Sequence, residues 1–150
     1  MTANFERNLT LEIKSDLVNV RLVCLSVRSI CQHFSLEETL AYQMELCVDE
    51  ALNNIIEHGL ALEPDHKIRV HLSFTADRLM IQITYGPSKP WPDAMMSLEE
   101  PPPNARDFPE RGFGNYLLTK IMDHITINST KEITKLHLVK NIPGLCTEKE

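Results

Sequence analysis

The sequence predicts an α+β fold: a two-layer sandwich with helices on one face of a mainly antiparallel sheet. Three observations carry this. Apolar and polar residues alternate over residues 8–14, 68–74 and 79–85, the period of half-buried strands. Only Thr75-Ala76-Asp77-Arg78 joins the second and third runs, a link short enough for an antiparallel hairpin. Between the first strand and that hairpin lie two long stretches with the 3.6-residue period of amphipathic helices.

Leu9, Leu11 and Ile13 define the opening strand. Ser15 is placed to cap a first helix, whose apolar series is Leu17, Val20, Val23, Cys24, Val27, Ile30 and Cys31. A second helix is expected from Ser35, with Glu38 completing a capping box. Its buried stripe is Leu40, Met44, Cys47, Val48, Ala51 and Ile55, and Gly59 is a natural stop. Ile68, Val70, Leu72 and Phe74, then Leu79, Ile81, Ile83 and Tyr85, supply the hairpin. After Tyr85 the pattern dissolves for about 25 residues, and a loop of that length in a compact domain is usually functional. Seven of the nine prolines fall there, including Pro101-Pro102-Pro103. Residues 112–124 read as a third helix, and strands near 125–130 and 132–139 close the sheet. The expectation is one domain over 1–150, with a lid-like loop at 86–111 and a frayed tail from 141 to 150.

Composition narrows the function. Apolar content of 43% with 24% charged residues is that of an ordinary globular chain. A formal charge of −6 argues against direct nucleic-acid binding, which needs a basic surface. No apolar run has the length of a membrane span. The N-terminus lacks the basic segment and apolar core of a signal peptide, so a cytoplasmic location is expected. Cys24, Cys31 and Cys47 fall in apolar helical patterns without a CxxC pair, which suits buried free thiols better than zinc.

Two stretches carry chemistry. Glu50-Ala51-Leu52-Asn53-Asn54 places a carboxylate and a carboxamide four residues apart, hence on one helical face. A carboxylate there can accept a proton, and an amide oxygen can hold a hard cation. Further along, Arg111-Gly112-Phe113-Gly114 is a paired-glycine turn opening a helix. Such a turn lets backbone N–H groups approach phosphate, which the helix N-terminus attracts. Together they suggest a magnesium–nucleotide site. The plain alternatives are two polar residues on a solvated helix face and a glycine turn without a ligand. A third glycine is missing, so the turn is not a dinucleotide fingerprint.

These residues meet a known family. The run from Val48-Asp49-Glu50 to Glu57-His58-Gly59 resembles the N box of the GHKL ATPases with the Bergerat fold. Within them it is most similar to the small anti-sigma factor serine kinases (RsbW-like). Arg111-Gly112-Phe113-Gly114-Asn115-Tyr116-Leu117-Leu118 is similar to that family's second glycine box. The resemblance implies ATP and Mg²⁺ as cofactors. Asn54 would ligate Mg²⁺, Glu50 would be the general base for a serine hydroxyl, and His58 would end the motif helix. Gly112 and Gly114 would hold phosphates, and Arg111 would reach the terminal phosphate or a partner. The family's D-x-G motif stands here as Thr84-Tyr85-Gly86, followed by Pro87. Gly86 fits, while Thr84 takes the place of the aspartate that hydrogen-bonds the adenine amino group. Losing a charge-assisted contact is worth about 1.5–3 kcal/mol, or about ten- to a hundredfold in affinity.

The activity implied is that of an anti-sigma factor with protein serine/threonine kinase activity. It would phosphorylate a STAS-type anti-anti-sigma partner and sequester a sigma factor, regulating transcription by partner switching. A homodimer is compatible with the family. The alternative is a non-catalytic, pseudokinase-like binding module whose nucleotide binding is weakened or lost through Thr84. A third reading, a catalytic domain detached from a histidine kinase, lacks the H-box helix pair.

Overall fold

The computed structural model describes residues 6–87 and 113–145. Strand β1 (Glu6–Lys14) leads into helices α1 (Leu17–His33) and α2 (Glu38–Asn54), and α2 continues as a π-helical turn (Ile55–Gly59). Next come β2 (Lys67–Thr75), β3 (Arg78–Tyr85), α3 (Phe113–Ile121), β4 (His124–Ser129) and β5 (Thr134–Asn141). All pairings are antiparallel, in the order β1-β2-β3-β5-β4. The fold is α+β, as the alternating patterns require.

Period-two alternation gives the sheet two unlike faces. Leu9, Leu72, Ile81, Leu138 and Ile125 align across all five strands, and Leu11, Val70, Ile83, Leu136 and Ile127 form the next row. On the three central strands these side chains are fully buried, and on the edge strands they are partly buried. Val20, Val27, Met44, Val48 and Ala51 of α1 and α2 are buried in the same core. Phe34 stacks on Phe74 with centroids 4.2 Å apart, pinning the link between α1 and α2 to β2. The opposite face carries polar rows such as Thr10, His71, Gln82, His137 and Thr126.

Both serine caps are displaced. Asp16 caps α1, its Oδ1 accepting from the Val18 amide at 3.1 Å. Ser15 is buried instead: its hydroxyl donates to the Glu63 carbonyl and accepts from the His66 amide, tying β1 to the approach to β2. Ser35 does not begin α2. Its φ of 59° is left-handed, and the amides of Ser35 and Leu36 donate to the Gln32 and Cys31 carbonyls. This is a Schellman ending for α1 with serine where glycine is usual. Glu37 precedes α2 without a side-chain cap. Ser35→Gly should therefore stabilise the protein by about 1 kcal/mol, since a left-handed L-residue costs about 1–2 kcal/mol and glycine nothing steric. Thermal melts check this, and a lowered midpoint would contradict it.

Buried Glu45 fixes α2 against α1. Its two oxygens accept from Arg21 and Arg28, each at 3.1 Å, and Arg28 also lies over the Tyr42 ring. At the other end of the layer, α3 stops at Ile121 rather than 124, and His124 already belongs to β4. Lys140 on β5 donates to the Ile121 carbonyl at 2.8 Å, which anchors the end of α3 to the sheet. The chain is held further than the sequence suggests. Asn141 closes β5, and the Ile142 amide donates to the Asp77 carbonyl at 2.7 Å.

Candidate functional site

Helix α2 presents two polar flanks around its apolar stripe. One flank faces α1, where Cys24 donates to Asp49 Oδ1 at 3.8 Å and Asn53 donates to the same oxygen at 3.2 Å. Glu50 and Asn54 lie on the other flank by helical geometry, and α3 packs against α2. Asn54 is buried, at 3% exposure, and Glu50 is half-buried. Burial, then Asp49, then Glu57, hold the Glu50 carboxyl above the usual glutamate range. A carboxyl so raised is a stronger base once ionised. Glu57 is the residue that motif reading missed, although seven-residue spacing places it on the side of Glu50.

His58 falls in the π-helical turn, where the Leu60 amide donates back to the Ile55 carbonyl at 2.8 Å. Such turns recur at functional sites. His58 is exposed and lies one turn beyond Asn54, outside the buried part of the flank. Gly59, which ends the turn, is buried against Tyr85: a Cβ added there would lie 3.1 Å from Tyr85 Cε2.

The end of β3 places Thr84 on the open face of the sheet. Register pairs Thr84 with Arg69 and Lys135, and Gln82 Nε2 approaches its hydroxyl at 3.5 Å on the open face of the sheet. Tyr85, not Thr84, turns toward the helices, because alternation sends neighbours to opposite faces. Its hydroxyl is buried without a hydrogen-bond partner among the described residues. Burial pushes this phenol up to about 12, with the Thr134 hydroxyl acting in the other direction. Gly86 is also explained by packing. With φ at 150°, its α-carbon lies against the backbone of Glu132 in the β4–β5 turn, so glycine is required there without any ligand.

Thr84→Asp should consequently leave nucleotide affinity unchanged within about twofold. It should add a cross-strand carboxylate between Arg69 and Lys135, worth about 0.2–1 kcal/mol of stability. Calorimetry and thermal melts read the two effects, and tighter nucleotide binding would restore Thr84 to the site.

Arg111 and Gly112 lie outside the described residues, as does the expected lid. Gly114 lies within the first turn of α3, one residue after the helix has begun, so its backbone is helical. The thiols of Cys24, Cys31 and Cys47 are free and pushed up to about 12, chiefly by burial, which makes them poor nucleophiles. Among the described residues no group of three His, Cys, Asp or Glu side chains is arranged to hold a metal. No described helix is long and apolar enough to cross a membrane.

The family model of the histidine kinase-like ATPase domain matches residues 13–140. The chain belongs to this family of ATP-binding, kinase-like domains. No curated protein matches it significantly. The helix flank fits what the family implies. Mg²⁺ prefers oxygen donors and keeps several waters, so the carboxamide oxygen of Asn54 suits it beside the Glu50 carboxylate. At the helix-facing end of β3 the buried Tyr85 hydroxyl, with the Thr134 hydroxyl acting on it from the paired strand, is a polar group within an apolar layer.

Proposed function

We propose that the protein is an anti-sigma factor with Mg-ATP-dependent serine/threonine kinase activity, acting on a STAS-type anti-anti-sigma partner. ATP supplies the phosphoryl group. Glu50 accepts the proton of the partner's serine hydroxyl, which sharpens the attacking oxygen. Asn54 holds the cation through its carboxamide oxygen, and burial, with Asp49 and Glu57, keeps Glu50 basic. Phosphorylation releases the antagonist and frees the protein to hold its sigma factor.

The observation that supports this reading most is the half-buried Glu50, its carboxyl raised, four residues from buried Asn54 on one flank of α2. A surface pair would show neither burial nor a raised carboxyl. Incubation with γ-labelled ATP and a STAS-domain protein tests the reading. Magnesium-dependent label on serine is expected, and ATP bound without any transfer would contradict it.

A second reading, the non-catalytic partner-binding module, is favoured by one observation. The family's aspartate is absent, and a bulky phenol packs on Gly59 beside that place. Under that reading the partner complex forms equally well with and without ATP.

A further inference from the structure

We propose that the open face of the sheet, at the end marked by Thr84, is a docking surface for an acidic segment of a partner protein. The inference stands independently of the nucleotide reading. Across this face run Glu12, Arg69, Thr84, Lys135 and Asn128 in one row, and Lys14 lies directly opposite Lys67 at the end of the β1–β2 ladder. These positions hold four cations against the single carboxylate of Glu12, in a chain whose formal charge is −6. The sign of the surface is locally reversed.

Among the described residues only Arg69 of those cations is in an ion pair. Arg69 Nε donates to Glu12 Oε1 at 3.0 Å, and that bond, with nearby Lys67, holds the Glu12 carboxyl below its usual range. Lys14, Lys67 and Lys135 are exposed and form no ion pair among the described residues. Like charges directly opposed on neighbouring strands destabilise a sheet. Lys14 and Lys67 break that rule with no ion pair of their own among the described residues, and a local rule so broken points to a surface used for something else.

The chemistry of the face selects the partner. These rows contain no Phe, Tyr or Trp, so nucleic-acid bases find no stacking platform. Within these rows no large apolar side chain is exposed, and exposed Ile133 in the β4–β5 turn is too little apolar surface to enter a bilayer. Arg69 and Lys135 lie two strands apart, about 10 Å by strand spacing, too far to clamp one small anion. Successive carboxylates of an acidic segment match that spacing, with the Thr84 hydroxyl and the Gln82 amide between the cations as further donors.

Fluorescence anisotropy of labelled poly-glutamate against the full chain tests this. Binding should weaken more than about tenfold between about 50 and about 300 mM salt. It should fall at least about tenfold in K67E/K135E. The single reversal K135E should weaken it clearly, while K120E on α3 changes it less than about twofold. Circular dichroism confirms that each variant is folded. Absence of binding at low salt, or an equal loss in K120E and K135E, would overturn the proposal. Tighter binding of poly-uridylate or of phosphatidylglycerol vesicles through the same two lysines would overturn the assignment to a protein partner.

Discussion

Glu50→Gln is expected to reduce phosphotransfer by at least about a hundredfold while leaving ATP binding in place. General acid–base catalysis typically contributes about 10²- to 10⁴-fold, and glutamine keeps the shape of the side chain without its basicity. The same substitution should raise stability at neutral pH. Burial, Asp49 and Glu57 favour the protonated carboxyl in the folded state. With the folded pKa above the unfolded one, the contribution of Glu50 is fully present below the unfolded value and is lost as pH rises through the folded value. Glutamine does not ionise and so avoids that loss. The variant's thermal midpoint should exceed the parent's at pH about 7, and the difference should close below pH about 4. An unchanged transfer rate would remove Glu50 from the mechanism. A midpoint difference independent of pH would show that the carboxyl is not desolvated.

Gly86→Ala should produce the largest loss of stability from a single added methyl group. A Cβ there would overlap the Glu132 carbonyl oxygen and lie 3.0 Å from its carbonyl carbon and 3.1 Å from Ile133 Cα. Every obstacle is backbone, so either the end of β3 or the β4–β5 turn must move, and a φ of 150° adds strain for an L-residue. Overpacking and strain of this kind cost about 3 kcal/mol together. For a chain of this size that lowers the midpoint by about 6–12 °C. Gly144→Ala is the control. Its φ of 74° is also left-handed, but nothing lies within 4 Å of the added carbon, so about 1–2 kcal/mol is expected. Equal losses in the two variants would mean that close approach to Glu132 is not what requires glycine at position 86.

The sheet was legible in the sequence because burial on one face imposes strict alternation, and each strand obeys it from Leu9 to Leu138. The helical stripe of α2 was equally legible, and with it the shared flank of Glu50 and Asn54. Helix ends were not, because competing hydrogen bonds decide them. Ser15 and Ser35 both have the chemistry of an N-cap. Ser15 is drawn to Glu63 and His66, and Ser35 is needed to end α1. The facing of residues at the end of β3 was not legible for a related reason. Spacing from Gly86 aligned Thr84 with a site residue, but facing follows strand parity, and parity gives the helix side to Tyr85. Glu57 escaped because its effect on Glu50 is electrostatic and depends on burial that no short motif encodes. The four cations of the open face come from three separated strands, β1, β2 and β5, which only the strand register brings together.

The central claim is that the Glu50–Asn54 flank of α2 serves a magnesium nucleotide. Calorimetric titration of the full chain with ATP, with and without Mg²⁺, tests it most directly. Saturable binding that tightens with Mg²⁺ is the predicted result. Absence of binding at millimolar ATP, or binding indifferent to Mg²⁺, would contradict it.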